Sequence, residues 1–228
     1  MSGRVGSITT PIITDGLVFN LDAANRASYP KTGTIWNDTI NGNNGTLTNG
    51  PTFSEDGGGS INFDGVNDYI NLGQSSVLNF TSTSSYTFNF WFNKKSAFKN
   101  YDSFFSMGYV GNQRIHFLID GSGRIARWDQ LFTGGLQLNT WTNIVYVYQS
   151  ISTNFGTETF YINGNPTATR TGSMPPVRTG NKWIGFHSYQ GGSWPFNGNI
   201  ANASIYNRAV TPSEVLHNYN ALKGRFGL

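Results

Sequence analysis

The sequence predicts an all-β fold, a two-sheet antiparallel jelly-roll sandwich with one short C-terminal helix. Many short segments alternate apolar and polar side chains with the period of two that is typical of strands. Turns rich in glycine and asparagine separate these segments along most of the chain. Helical spacing stands out once, near the carboxyl end. Many short strands with turns between them favour a sandwich over alternating β and α units.

The composition predicts one large core and limits the partners. The chain has 228 residues, of which 37% are hydrophobic and 12% are charged, and a sandwich of this length often forms one domain. The net charge is +3, but the cations are scattered, and the densest group is Lys94, Lys95 and Lys99. We expect this group to lie in a solvated loop, and we expect no nucleic-acid partner. No apolar run reaches the length of about 18 residues that indicates a membrane span, so we expect no membrane insertion.

We expect residues 1–14 to form an N-terminal arm and residues 15–228 to form the jelly-roll domain. The arm is too short to fold by itself, and the first apolar alternation follows it at Leu17, Phe19 and Leu21. Apolar side chains of the arm can pair along a sheet edge of a neighbour or lie in its groove. The predicted attachment residues are Val5, Ile8, Ile12 and Ile13.

After an early strand at residues 17–21, residues 23–56 are rich in turn residues, and we expect loops with short strands between them. The segment Tyr86–Phe92 alternates phenylalanine and tyrosine with other side chains, which predicts a central strand. The pair Asn163-Gly164 follows a strand over residues 159–162 and is a strong hairpin signal. Further strands are predicted over residues 61–63, 69–72, 104–107, 115–119, 125–128, 141–148, 183–186 and 200–206.

One helix is predicted over residues 211–222. Thr211 can cap it, Pro212 suits the first helical position, and Glu214 completes a capping box. Gly224 follows as the expected left-handed cap that ends the helix.

Several segments, taken in chain order, resemble the laminin G-like, concanavalin A-like jelly-roll family. They are FDGVNDYI at residues 63–70, YTFNFWF at 86–92, NTWTNIV at 139–145 and FYING at 160–164, with a closing segment over residues 196–215. Together they cover residues 16–222 in the order of the family. The resemblance implies a concanavalin A-like sandwich.

The opening and the ending of the chain resemble jelly-roll proteins of tailed bacteriophages. The similar segments are residues 11–25, with Tyr29-Pro30 and Trp36, and residues 220–226. The resemblance implies a virion accessory protein, either a capsid decoration or a head, neck or tail fibre component. Such a protein is made in the host cytoplasm without a signal peptide, and it joins other virion proteins as a homo-oligomer or multi-copy assembly. The alternative is a lectin-like carbohydrate-binding module outside a virion.

The carboxylates are not arranged as in a two-carboxylate glycoside hydrolase. Such enzymes need two carboxyl groups that face one substrate. The close pairs in this sequence are Glu55 with Asp56 and Asp64 with Asp68, and both fall in turns. We therefore expect no enzymatic activity, and we expect Asp64 and Asn67 to accept hydrogen bonds from amides of their own turn.

No cofactor is expected. The chain has no cysteine, and its three histidines are not spaced as a metal site. The resemblance raises the question of calcium, because many relatives bind it. Pentraxin-like members carry acidic residues after the strand that corresponds to Ile184-Gly185, whereas residues 186–190 here contain none. Ala201 also replaces an acidic residue that is common in the family.

Two places in the sequence suit a cell-surface glycan. Sugar binding needs an exposed aromatic face with polar neighbours on loops of a rigid scaffold. Trp194 with Tyr189 is the first place, and Trp128 with Arg127 and Arg124 is the second. The alternative is that both tryptophans are aromatic residues at the edge of the core.

Overall fold

The computed structural model describes residues 11–99, 101–107, 115–127, 132–173, 180–186, 188–189 and 192–228. The strands are β1 (Leu17–Asp22), β2 (Ile35–Trp36), β3 (Gly45–Thr48), β4 (Thr52–Ser54), β5 (Ser60–Asp64), β6 (Tyr69–Gly73), β7 (Tyr86–Lys94), β8 (Asp102–Met107), β9 (Ile115–Ile119), β10 (Ile125–Arg127), β11 (Phe132–Thr133), β12 (Trp141–Ser152), β13 (Phe155–Ile162), β14 (Asn165–Ser173), β15 (Lys182–Ile184), β16 (Ser188–Tyr189), β17 (Gly192–Ser193) and β18 (Asn197–Tyr206). Helix α1 spans Pro212–Leu222, and short 3₁₀ helices span Asp56–Gly58, Ser76–Leu78 and Lys223–Phe226.

The strands form two antiparallel sheets. The first sheet has the order β14-β13-β12-β7-β18-β5-β4, and β1 pairs with the second half of β18 beyond the end of β5. The second sheet has the order β11-β10-β9-β8-β15-β6-β3-β2, and β16 and β17 form a separate hairpin. The predicted two-sheet sandwich is therefore confirmed.

The core between the sheets is rich in phenylalanine. β7 supplies Phe88, Phe90 and Phe92 from the first sheet, and they meet Phe104 and Phe117 of the second. The ring pairs lie within about 4.5–7 Å of each other in tilted or edge-to-face geometry, which adds to the stabilisation from burial. The predicted central position of β7 is confirmed.

Helix α1 covers the outer face of the first sheet. Its capping box between Thr211 and Glu214 is present as predicted. Gly224 is not the left-handed cap, however, because the chain continues as a 3₁₀ helix and turns at Gly227, where φ is 74°. The extra turn stacks Phe226 on Trp91 with ring centroids 4.1 Å apart. Burial of these aromatic rings explains why the helical backbone continues past Gly224.

A row of hydrogen-bonded polar side chains crosses this outer face. Asn143 donates to Asn89 at 2.7 Å, and Asn89 donates to Ser204 at 2.9 Å. Ser204 lies 3.4 Å from Asn202, which donates to the main-chain oxygen of Leu21 at 2.9 Å. The row thus links β12, β7, β18 and β1 through buried groups.

Residues 11–14 contact the domain that follows them. Ile12 and Ile13 pack against an apolar cluster on the outer face that includes Val215. The main-chain N–H of Ile13 donates to Asn218 at 2.8 Å, and its carbonyl accepts from Tyr206 at 2.9 Å. Val5 and Ile8 lie outside the described residues. The attachment role of the arm stays a prediction, but Ile12 and Ile13 belong to the surface of their own domain.

None of the helices in the described part of the chain is long and apolar enough to cross a lipid bilayer.

Candidate functional site

Trp194 lies over the outer face of the second sheet, between β17 and β18. Its carbonyl accepts from the main-chain N–H of Ser103 in β8 at 3.2 Å. Phe196, two residues later, donates its N–H to Gly185 at 2.8 Å. These bonds hold the Trp194 segment across the ends of β8 and β15, where the sheet provides a rigid support.

Three rings meet at this place, and we call Tyr101, His116 and Trp194 the aromatic group. His116 alternates with the core residues Ile115 and Phe117 in β9, so its ring points to the outer face. Trp194 stacks on His116 with centroids 5.9 Å apart and an interplanar angle of 19°. The ring of Tyr101 lies 5.5 Å from that of Trp194 at 54°. His116 is buried and Trp194 partly so, whereas Tyr101 is 45% exposed.

Tyr101 has an unusual backbone conformation. Its φ angle is 74°, in the left-handed region that bulky residues rarely adopt. Such a conformation costs about 1–3 kcal/mol and persists only where the surrounding structure holds it. Strained residues of this kind concentrate at ligand-binding sites, so this angle adds to the case for a site here.

The connection that carries Tyr101 joins the two sheets. Lys94 ends β7, Asp102 begins β8, and the Lys94 ammonium lies 3.2 Å from a carboxylate oxygen of Asp102. Both side chains are almost completely buried, at 1% and 3% exposure. Burial lowers the pKa of Lys94, and the charge of Asp102 acts in the opposite direction. The prediction that Lys94 lies in a solvated loop is therefore wrong, because its charge is paired inside the sandwich.

The structure does not support Arg127 as a sugar contact. Its guanidinium is buried between the sheets, where Nε donates to Glu158 at 2.7 Å. Glu158 also accepts from Tyr146 at 2.8 Å and from Arg170 at 3.0 Å. Burial raises the pKa of Tyr146 well above its usual value, so its hydroxyl remains a donor. Arg127 thus belongs to a buried inter-sheet network, and a ligand on the surface does not reach it.

The other predicted sugar contacts are only partly described. Arg124 is exposed, but its guanidinium pairs with Asp120 at 2.6 Å and closes the turn between β9 and β10. Asp120 also accepts the main-chain N–H groups of Ser122 and Arg124 at 2.9 Å. Trp128 and the side chain of Tyr189 lie outside the described residues. Of the predicted contacts, the structure therefore places Trp194 in the candidate site.

Tyr101 and His116 were not predicted as site residues. The sequence indicated only that His116 is not part of a metal site, and Tyr101 was not singled out. One signal for Tyr101 was available, since it is an aromatic residue between polar ones, directly before a strand. Its pairing with Trp194 depends on contacts between segments 93 residues apart, which no local pattern reveals.

The carboxylates of the turn over residues 64–68 stabilise that turn. Asp64 accepts from the N–H of Val66 at 2.8 Å, and Asp68 accepts from the N–H of Asp64 at 2.9 Å. Burial raises the pKa of Asp68. The hydrogen bond predicted for Asp64 is confirmed, whereas Asn67, in the part of the chain that the structure describes, accepts through its main-chain oxygen, from the side chain of Asn49 at 2.9 Å, and not from an amide of its own turn. No group of three or more histidine or acidic side chains in the described residues is arranged to hold a metal ion.

A family model described as the concanavalin A-like lectin/glucanases superfamily, for a laminin G-like domain, matches residues 64–216. The chain belongs to this superfamily. Comparison with curated proteins gives no match.

Solved structures of similar fold come from several larger proteins. A Trypanosoma rangeli sialidase in complex with sialic acid has a TM-score of 0.68 at 16% identity, and the match covers 96% of this chain and 36% of the sialidase. The binding domain of Paraclostridial Mosquitocidal Protein 1 has a TM-score of 0.66 at 16% identity, with coverage of 90% and 52%. Domain 4 of AbnA, an extracellular arabinanase of Geobacillus stearothermophilus, was solved with arabinotriose. Its TM-score is 0.60 at 18% identity, with coverage of 89% and 98%.

These structures correct one prediction. The expectation of no enzymatic activity is wrong, because the fold of a sialidase matches almost the whole chain. Sialidases use a tyrosine nucleophile, so the two-carboxylate rule on which the expectation rested does not apply to them. At these identities the likeness shows the fold alone, and the chain spans about a third of the sialidase length.

Proposed function

We propose that this domain binds carbohydrate through the surface formed by Tyr101 and Trp194. The observation that carries the proposal is the contact of these two rings, 5.5 Å apart, where Tyr101 is 45% exposed. Aromatic rings on loops of a rigid scaffold offer an apolar face to the C–H groups of a sugar. The stacked and buried His116 supports Trp194 from the sheet side.

The comparisons support this class of ligand. Domain 4 of AbnA is matched over 98% of its length and was solved with arabinotriose. A match of nearly the whole domain means that the shared fold is sufficient to form a sugar-binding unit in that protein. At 18% identity the likeness shows the fold alone, so the position of the sugar on this chain is part of the proposal.

The experiment is a glycan array with neutral and acidic glycans, followed by calorimetric titration of the best ligand. We expect Trp194→Ala and Tyr101→Ala each to weaken binding at least tenfold, about 1.4 kcal/mol or more. Phe155→Ala is the matched control, because Phe155 is 39% exposed but lies in the first sheet. Unchanged binding by both site variants, or an array without any ligand, contradicts the proposal.

We also propose a virion setting, for which the resemblance of the opening and closing segments to tailed-bacteriophage proteins is the support. None of the three structures described above is of a virion protein. Mass spectrometry of purified particles tests the proposal, and detection of the chain at a fixed copy number is expected.

Deletion of residues 1–10, which include Val5 and Ile8, tests their predicted role in attachment to other virion proteins or to further copies of the chain. The glycan-binding proposal does not depend on this setting.

A further inference from the structure

Asp102 contacts two residues that precede Tyr101 in the chain, Lys94 at the end of β7 and Lys99. It directly follows Tyr101 and begins β8, and its side chain is 3% exposed. Its carboxylate oxygen Oδ2 accepts from the main-chain N–H of Lys99 at 3.1 Å and lies 3.2 Å from the ammonium of Lys94. The chain from Lys94 to Lys99 is therefore tied at both of these residues to one buried oxygen atom.

The same region is linked to the Trp194 segment. The N–H of Lys95 donates to the carbonyl of Asn197 at 3.2 Å, and the N–H of Ser103 donates to the carbonyl of Trp194 at 3.2 Å. These bonds lie on the two sides of Tyr101 along the chain. Tyr101 is thus one of the residues between two fixed points, and such fixation allows a left-handed conformation of a bulky residue to persist.

We propose that Asp102 is a positioning residue that holds Tyr101 beside Trp194. Its carboxylate fixes the N–H of Lys99 and so prevents residues 95–99 and Tyr101 from relaxing into a conformation that removes the Tyr101 ring from Trp194. The inference rests on the proposed function for its effect on sugar binding, but the position of the ring can be measured without any sugar.

Two double variants separate positioning from the buried charge. Lys94→Met with Asp102→Asn removes both charges but keeps an amide oxygen for the N–H of Lys99. Lys94→Met with Asp102→Leu removes both charges and the acceptor. Neither variant leaves one buried ion without its partner, a change that by itself destabilises proteins strongly. Both variants lose the hydrogen bond of Lys94 to Ser96, and at position 102 they differ in the presence of the polar amide that supplies the acceptor, so the asparagine variant is the matched control.

We expect the asparagine variant to bind the best glycan within about twofold of the parent and the leucine variant to bind at least fivefold more weakly. In the absence of glycan, near-ultraviolet circular dichroism of each variant is compared with that of its Trp194→Phe derivative. The Trp194 contribution is expected to persist with asparagine and to decrease by at least half with leucine. If the domain binds no glycan, this spectrum still decides the positioning role.

A second variant serves if the leucine variant does not fold. Lys99→Pro keeps the pair of Lys94 and Asp102 and removes the N–H that donates to Asp102. It is expected to cause the same loss of the Trp194 signal. The partly buried ring of Phe98 also packs against the core and anchors the loop. If Phe98 is sufficient, the leucine and proline variants both retain the parent spectrum and affinity, and the proposal is overturned.

Discussion

The guanidinium of Arg127 and the carboxylate of Glu158 form an ion pair of 2.7 Å between the two sheets, and both side chains are almost completely buried. Removal of one partner of a buried pair costs about 3–5 kcal/mol, because the other charge remains in the interior. Arg127→Met leaves Glu158 with Arg170 and Tyr146, whereas Glu158→Gln leaves Arg127 without its carboxylate. We expect Glu158→Gln to lower the free energy of unfolding more than Arg127→Met.

Denaturant unfolding of both variants measures this difference. Arg170→Gln is the control, because Arg170 contacts the same carboxylate from a position that is 30% exposed. A loss for Glu158→Gln no larger than for Arg170→Gln would show that the buried pair contributes little.

The buried ammonium of Lys182 predicts that the free energy of unfolding increases with pH. Its ammonium is buried, and in the described residues it donates to Asn79 and to the carbonyl of Gly180 at 3.0 Å, with no carboxylate partner. Burial lowers its pKa from 10.5 to about 8. Between these values the unfolded chain binds the proton more readily, so the free energy of unfolding increases as pH rises from about 8 and the gain is complete above 10.5.

The measurement is urea unfolding at pH 7 to 9.5 of the parent and of Lys182→Met. The difference between the two curves isolates Lys182 from the buried tyrosines, whose pKa values burial raises. We expect Lys182→Met to be at least as stable as the parent at pH 7 and to lack the parent's increase in the free energy of unfolding, which amounts to about 2 kcal/mol between pH 7 and 9.5. Parallel curves would contradict the assignment.

Glu214 predicts a loss of stability in acid. Two hydrogen bonds from Arg208, of 2.9 and 2.6 Å, lower its pKa to about 2, and Thr211 contributes. This stabilisation is complete above the ordinary value of 4.5 and decreases as pH falls from about 5 through 2. Glu214→Gln is expected to cost about 1–2 kcal/mol at pH 7 and little at pH 2. Thermal melts at the two pH values test this. If Glu214→Gln costs the same stability at pH 7 and at pH 2, the loss comes from the helix cap with Thr211 and not from the charge of Glu214.

The contacts of Ile12 and Ile13 predict that two truncations differ. Deletion of residues 1–10 leaves the bonds of Ile13 to Asn218 and Tyr206, whereas deletion of residues 1–14 removes them and uncovers the apolar cluster beneath. We expect both proteins to fold and the longer deletion to be less stable by about 2–4 kcal/mol, from one or two lost hydrogen bonds and the exposed apolar surface. Equal melting temperatures would show that these contacts contribute nothing.

The sequence predicted those elements in which large apolar side chains recur with a period of two, even where both faces of the strand are covered, as in β7. β7 and β18 are such strands, and the turn at Asn163-Gly164 has the two positive φ angles that its residues favour. β14 was not predicted as a strand of its own. It is an edge strand with exposed threonines on one face and partly exposed residues on the other, so its sequence carries no apolar alternation.

Prediction of the site was less complete, because charge pairs and ring contacts depend on tertiary structure. The arginine at position 127 looked like a surface donor beside Trp128, yet its partner Glu158 lies on a strand of the other sheet. In the same way, Lys94 looked like a solvated cation until Asp102 was placed beside it. A sequence shows which side chains carry charge, but the fold decides which of them face each other.

The row of polar side chains on the first sheet has a consequence for how the protein is made. Asn89 and Ser204 are 115 residues apart, and Asn202 and Leu21 are 181 apart. Pairing over such distances is slow, because the entropy of closing a long loop is lost before contacts are gained. A ribosome that has not yet released β18 therefore carries a chain whose β1 and β7 each lack a neighbour. Such open strands are prone to associate between chains. Slow translation before residue 206 should thus favour aggregation of nascent chains, whereas completed chains can close the sheet.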